Sequence, residues 1–369
     1  MRVRGRPDPM ARAQGQSGAD RRGSIPIVDC DVHIPTDAEA VAERMSEPFR
    51  SKGLGGPASG YTSPVGVTRR DAIPDDDTTR FELTREQLLD PLGVEHAVVT
   101  GGASLGLVAY ENARHASAVA SAYNDWVVEE WAEADERIHA SIGIAPQAPE
   151  AAAEEIRRWA DHPEMVQVVM GSGTRMPIGQ HDYWPVFEAA VEADLPVAMH
   201  IGPKGDAGIG HPNNPGGQSS TYGEAHIAQS FNPYGQLASL VCEGVFESFP
   251  DLRFVAIEGE FGWVPDLAAR LDRNWRALRE EAPWLERPPS EYLRGNVRFT
   301  TQPIPEPPRE AYLYDLLEEI HAEETLLFCT DYPHWDGDYR PRQVFPSLSD
   351  ELERAILHGT AAELYGFET

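Results

Sequence analysis

The chain has 369 residues, 41% of them hydrophobic, enough to bury one large core or two ordinary ones. Its 31 basic and 60 acidic side chains leave a formal charge of −29 and a pI near 4.7, a surface that repels nucleic acid and anionic membrane. No run approaches the roughly 18 apolar residues of a membrane span, the N-terminus lacks an apolar signal core, and three cysteines (Cys30, Cys242, Cys329) argue for reduced thiols, so a cytoplasmic protein without disulfides is expected.

Residues 1–24 hold six arginines, two aspartates and almost no bulky apolar side chains, and are read as a disordered arm ahead of one domain over 25–369. The apolar run Ile25-Pro-Ile-Val28 opens a first strand that ends in Asp31 and His33. These are two apart, so a strand's period places both on one face. Asp29 shares that parity and is expected one layer deeper, in a structural hydrogen bond. The Pro/Gly/Asp-rich stretch 34–80 is too long for an ordinary connection and reads as an inserted cap or lid. Beyond it the chain alternates. A short helix over 84–90 precedes a strand over 93–100, helix 111–134 leads to strand 138–144, helix 150–160 to strand 165–170, and helix 183–193 to strand 196–200. A Gly/Pro/Asn loop over 202–222 follows, then helix 233–248, strand 252–258, helix 262–281, strand 296–300, helix 309–321, strand 325–331 and a closing helix 349–364. Eight strand-then-helix units predict an α/β fold, a closed (β/α)8 TIM barrel. An open doubly wound sheet would show a Gly-rich phosphate turn after an early strand, and strand one ends instead in Asp-Val-His-Ile-Pro.

Chemistry in such barrels sits at the C-terminal ends of the strands. Those positions hold Asp31 and His33 on strand one, His200 on strand five, Glu258 on strand six and Asp331 on strand eight. Imidazoles mixed with carboxylates suit a divalent ion, zinc first, with manganese or iron as the alternatives. Asp331 is placed to move a proton, with Glu258 and His334 as further catalytic candidates. Arg175, just past strand four, offers a planar fork for a substrate carboxylate, and Trp335 and Tyr222 are candidate pocket walls. His96 and His139 lie inside strands, away from the C-terminal ends, and are read as core.

Three motifs extend the pattern: Thr330-Asp331-Tyr332-Pro333-His334-Trp335, Val241-Cys-Glu-Gly-Val-Phe-Glu-Ser-Phe-Pro250 and Ala256-Ile-Glu-Gly-Glu-Phe-Gly-Trp263. With the ligand-type residues they resemble the amidohydrolase-related, aminocarboxymuconate-semialdehyde decarboxylase-like branch of the amidohydrolase superfamily, over about 25–366. The resemblance implies a metal-dependent barrel enzyme, a homodimer, that hydrolyses or nonoxidatively decarboxylates a small carboxylate-bearing substrate, with Asp31, His33, His200 and Asp331 at the metal positions. Two departures stand out. Asp31 replaces the His or Glu of many relatives, and Glu258 stands where the decarboxylases typically carry a proton-handling histidine. The Lys-bridged dinuclear type is excluded, because Met170-Gly-Ser-Gly-Thr-Arg175 has no lysine at the end of strand four; if two ions bind, Glu258 is the candidate bridge. The rival readings are a dinuclear iron or manganese oxygenase on the same barrel, and a non-catalytic partner subunit.

Overall fold

The computed structural model describes residues 25–54, 66–75, 78–202, 219–345 and 348–368. The arm expected over 1–24, most of the 202–222 loop and part of the 34–80 insertion lie outside the described residues. Eight parallel strands run in chain order around one sheet: β1 Ile27–Val32, β2 Val94–Val99, β3 Ile138–Gly143, β4 Met165–Gly171, β5 Val197–His200, β6 Phe254–Ile257, β7 Val297–Thr300 and β8 Leu326–Leu327. The seam between β8 and β1 is closed beyond the short last strand, where Cys30 N donates to Phe328 O at 3.0 Å and His33 N to Tyr332 O at 2.7 Å. This is the nearly closed barrel that the alternation predicts.

Outer helices cover the sheet between strands, among them α1 Ala113–Glu130, α2 Pro149–Trp159, α3 Trp184–Glu192, α4 Phe231–Cys242, α5 Val264–Ala277 and α6 Ala311–Glu319. The expected helix 233–248 is broken at Gly244, whose φ of 76° lies in the left-handed region that only glycine adopts at little cost. The structure adds a helix, Pro289–Asn296, where no element was expected; its helical start is set by Pro289 at the first turn. The predicted short helix also begins earlier. Thr79 accepts from Glu82 N while the Glu82 carboxylate reaches back to Thr79 N, a reciprocal cap that starts the turn at Arg80.

Two apolar layers result. Met199, Phe299 and Phe328 point outward and pack with helix residues such as Trp126, Phe187 and Leu237. Val28, Cys30, Val169, Ala198, Val255, Ile257, Leu327 and Cys329, from β1, β4, β5, β6 and the end of β8, form one cluster, which non-adjacent strands can share through the interior. Asn124 of α1 clamps the sheet to its helices. It accepts from Gly143 N at 2.8 Å and donates to Gly143 O at 3.0 Å and to Glu155 of α2 at 2.9 Å. Replacing this buried amide orphans a strand N–H and its carbonyl, each costing about 1–3 kcal/mol. Asn124→Ala is therefore expected to lower unfolding stability by about 3 kcal/mol in denaturant titration, and Asn124→Asp by at least as much, because it sets a buried carboxylate against Glu155 and the Gly143 carbonyl.

Candidate metal centre

His33 Nε2 stands in the middle of the barrel mouth, 3.4 Å from Asp31 Oδ1, 3.1 Å from Asp331 Oδ1 and 3.2 Å from His200 Nε2. His200 Nε2 is in turn 3.5 Å from Asp31 Oδ2 and 3.1 Å from Glu258 Oε2. His334 enters from the loop after β8: its ring lies over that of His33, centroids 4.1 Å apart, and its Nδ1 is 2.6 Å from Asp331 Oδ1. Asp31, His33, His200 and Glu258 form one set whose ligand atoms all fall within 4.8 Å of one another, and His33, Glu258, Asp331 and His334 form a second.

The backbone departs from regular strand to bring these groups together. Along β1, Val28 and Cys30 face the interior while Val32 and Ile34 pack outward, so the facing must switch between them. It does so by a bulge: Asp29 pairs with Ala97 but Val32 with Val99, three residues against two. The extra residue turns Asp31 and His33 inward and takes Asp29 off their face, which corrects the shared parity expected for Asp29 and Asp31. Asp29 instead receives Thr330 N at 2.9 Å and Thr330 Oγ1 at 2.5 Å, tying β1 to the residue before Asp331. On β6 the inward residues are Val255 and Ile257, so strict alternation would aim Glu258 at the helices. Glu258 has φ 55°, however, and the left-handed turn swings its carboxylate to His200; Thr300 Oγ1 holds its N–H at 2.9 Å. Asp331 takes the same conformation, at φ 58°. For non-glycine residues this region costs about 1–3 kcal/mol and persists where surroundings impose it.

The remaining supports fix ring tautomers and exclude slack. His200 Nδ1 lies 2.5 Å from Ile201 O and donates to it, so Nε2 is the nitrogen aimed at Asp31 and Glu258, the one that would ligate a metal once an ion takes the place of its proton. Thr100 Oγ1 donates to Asp31. A Cβ on Gly101 would come within 2.2 Å of His33 Nδ1, so only glycine lets the β2 end lie against that ring. Thr100, Gly101, Thr300 and Thr330 carry no ligand chemistry of their own, and the sequence reading passed over them.

Three carboxylates and two mutually facing imidazoles are thus buried together, and among the described residues no lysine or arginine pairs with Asp31, Glu258 or Asp331. Among the described residues Asp331 Oδ2 has no hydrogen-bond partner, while Asp331 Oδ1 and Asp31 Oδ2 face only imidazole nitrogens. Burial alone would push the imidazoles down, but the Asp31 charge, joined by Asp331 for His33 and by Glu258 for His200, holds His33 well above its ordinary value and raises His200 to about 9. Burial works against ionised Asp31 as well, and the His33 and His200 charges overcome it and hold its carboxyl below the usual range. Asp29, outside the cluster, is pushed by burial up to about 7 against its bonds from Thr330. The centre therefore demands positive charge, which protons supply here. Oxygen and nitrogen donors bind a divalent ion at about 2.0–2.2 Å, so donors sharing one ion sit about 3–4 Å apart. The separations above match that spacing, and the residues fit such an ion.

Of the other candidates, Trp335 and Tyr222 meet at the rim, with indole Nε1 3.4 Å from the Tyr222 hydroxyl and Trp335 45% exposed. The described part of the insertion reaches the same edge: Thr68 bridges His334, Arg69 N donates to Pro333 O and Trp335 N to Val67 O. Arg175 lies apart from the cluster, its guanidinium donating to the Tyr110 and Glu111 carbonyls at 3.0 and 3.1 Å. His96 and His139 pair with each other at 2.9 Å and stack on Phe367, away from the mouth.

Known proteins place this architecture. The gamma-resorcylate decarboxylase of Rhizobium sp. (strain MTP-10005) is 27% identical over 298 residues, covering 76% of this chain and 85% of its own. The fold superposes on that of an amidohydrolase from Mycobacterium avium subsp. paratuberculosis K-10 with a TM-score of 0.71, at 20% identity over 92% of this chain and 99% of that one. A dihydroxybenzoic acid decarboxylase from Polaromonas sp. JS666, solved with bound manganese and 2-nitroresorcinol, superposes with a TM-score of 0.65 at 19% identity, over 93% and 97% of the two chains. The model of the Amidohydrolase family matches residues 28–367, from β1 through the closing helix, and the chain belongs to that family.

Proposed function

We propose that this protein is a metal-dependent carboxy-lyase that removes CO2, without oxidation, from a small hydroxylated aromatic carboxylate. The observation that carries the reading is the convergence of Asp31, His33, His200, Glu258 and Asp331 at the barrel mouth, buried carboxylates and imidazoles with no lysine or arginine paired to those carboxylates among the described residues. Decarboxylation is preferred to hydrolysis because relatives by sequence and by fold are decarboxylases of dihydroxybenzoic acids, and manganese to the zinc first expected because a neighbour of the same fold was solved with it. Asp31, His33, His200 and Glu258 would hold the ion, which when bound supplies a Lewis acid able to anchor a carboxylate and an adjacent hydroxyl.

Proton handling falls to the chain itself. A protonated Asp331 delivers its proton to the ring carbon that bears the carboxylate. The bond to that carboxylate then breaks, its electron pair returns to the ring, CO2 leaves, and Asp331 is left ionised for the next proton from solvent. His334, 2.6 Å from one Asp331 oxygen, fixes the carboxyl's orientation. Glu258 occupies the position where a histidine is typical of the decarboxylases. A carboxylate at that point strengthens the hold on a cation and removes a neutral proton carrier, which leaves Asp331 the main proton carrier.

Release of CO2 from a panel of mono- and dihydroxybenzoic acids tests this directly. Chelator-treated protein is expected to lose nearly all turnover and to regain it with manganese, and Asp331→Asn to lower kcat by about 10²–10⁴-fold with little change in ion content. Turnover indifferent to both would overturn the reading. Gly101→Ala, which drives a methyl into the His33 ring, is expected to weaken manganese binding by about 10–100-fold in calorimetry. Gly106→Ala, with open space around its Cβ, serves as the silent control.

A further inference from the structure

A buried polar group with nothing to bond has given up its water without return, and such groups are rare. Two glutamine oxygens at the barrel mouth are in that position. Gln302 is the second residue past β7 and only 2% exposed, and its Oε1 has no hydrogen-bond partner. Sheet order puts the end of β7 between the ends of β6 and β8, which lead into Glu258 and Asp331. The chemistry of the neighbours orients the amide. Its Nε2 donates to Asp336 O at 3.4 Å, and turning the group over would set oxygen against that carbonyl. Gln229 caps the helix Tyr222–Ala228; it is 4% exposed, and its Oε1 is likewise without a partner.

His226 connects the two. It lies one turn before Gln229 on the same helix face, and its Nε2 is 3.0 Å from Oδ2 of Asp336, the residue whose carbonyl holds Gln302. Its ring centroid is 5.4 Å from that of Tyr222 and 6.1 Å from that of Trp335, the pair already placed at the rim. Glu260, in the left-handed conformation at φ 56°, brings a second carboxylate near His226. Among the described residues no lysine or arginine pairs with Asp336 or Glu260. We infer that this side of the mouth is a substrate subsite of hydrogen-bond acceptors. Gln302 and Gln229 offer their amide oxygens to a hydroxyl or amino group that the substrate ring carries away from its reacting carboxylate. A ring bearing that donor satisfies the orphaned oxygens, and an analogue without it leaves them unpaired and binds less well. Charge discriminates further, because a second carboxylate on the ring would meet Asp336 and Glu260 with His226 as the basic side chain between them. The inference rests on the carboxy-lyase reading above and narrows its substrate to a monocarboxylate with a remote donor.

The test uses the manganese-loaded full chain and measures both Kd, by calorimetry, and CO2 release. The probes are ortho-hydroxybenzoate, the dihydroxybenzoates and amino-hydroxybenzoates that keep its ortho hydroxyl, and the corresponding hydroxybenzene dicarboxylates. At one ring position an added hydroxyl or amino group is expected to tighten Kd by about 10-fold, and a carboxylate there to weaken it by a similar factor. Gln302→Met and Gln229→Met, close in volume but lacking the amide oxygen, should each bring the ratio between the preferred dihydroxybenzoate and ortho-hydroxybenzoate toward one. A parent protein indifferent to added donors overturns the subsite and leaves the decarboxylase standing. Variants that weaken every acid by the same factor overturn it too, since a merely structural amide would act that way. Donor-dependent binding without CO2 release from any acid overturns the carboxy-lyase reading and keeps the subsite, and no binding of any acid overturns both. The parent series decides the question by itself where a variant fails to fold.

Discussion

Everything at the mouth of this barrel follows from an excess of buried negative charge. Asp31, Glu258 and Asp331 converge on two imidazoles, and among the described residues no guanidinium or ammonium compensates them. Water cannot reach most of these oxygens to screen them, so the charges are tolerable only while cations, protons or metal, sit between them. That requirement accounts for the raised imidazoles and for Asp31 staying ionised in a place where burial alone would protonate it.

The scaffold supplies that convergence by departing from its own regularity. A bulge in β1 rotates Asp31 and His33 inward, left-handed residues at the ends of β6 and β8 aim Glu258 and Asp331, and the Asp29–Thr330 bonds pin the two sides of the seam. Each device spends conformational freedom that an ordinary strand end would retain. A site built this way is stiff, because the side chains are fixed through backbone that has few alternatives.

The sequence made the barrel and its ligand types legible because both depend on periodic or local signals. Alternating apolar runs and helices gave eight units, and reading only strand ends was enough to pick out Asp31, His33, His200, Glu258 and Asp331. The finer orientation was not legible. Asp29 and Asp31 differ by two positions and still face differently, because a bulge is set by pairing with β2 and leaves no local mark. Glu258 reads as outward by alternation and reaches the centre through a backbone angle that no composition signals. Gly101 is one glycine among 32, and only the approach of the His33 ring distinguishes it. Strand eight shrinks to two residues because the chain beyond Leu327 bonds to β1 through single contacts and side chains in place of a regular ladder.

The seam has a consequence for how the protein is made. Asp29 and Thr330 are 301 residues apart, and Asp31 and His33 from the start of the domain meet Asp331 and His334 only when the last strand closes the ring. During synthesis, then, the first ligands emerge from the ribosome long before their partners. Until Asp331 and His334 follow, Asp31 and His33 lack their partners from the far side of the seam. The full donor set exists only in the finished barrel, and a chain cut short before Thr330 would lack the brace together with Asp331 and His334.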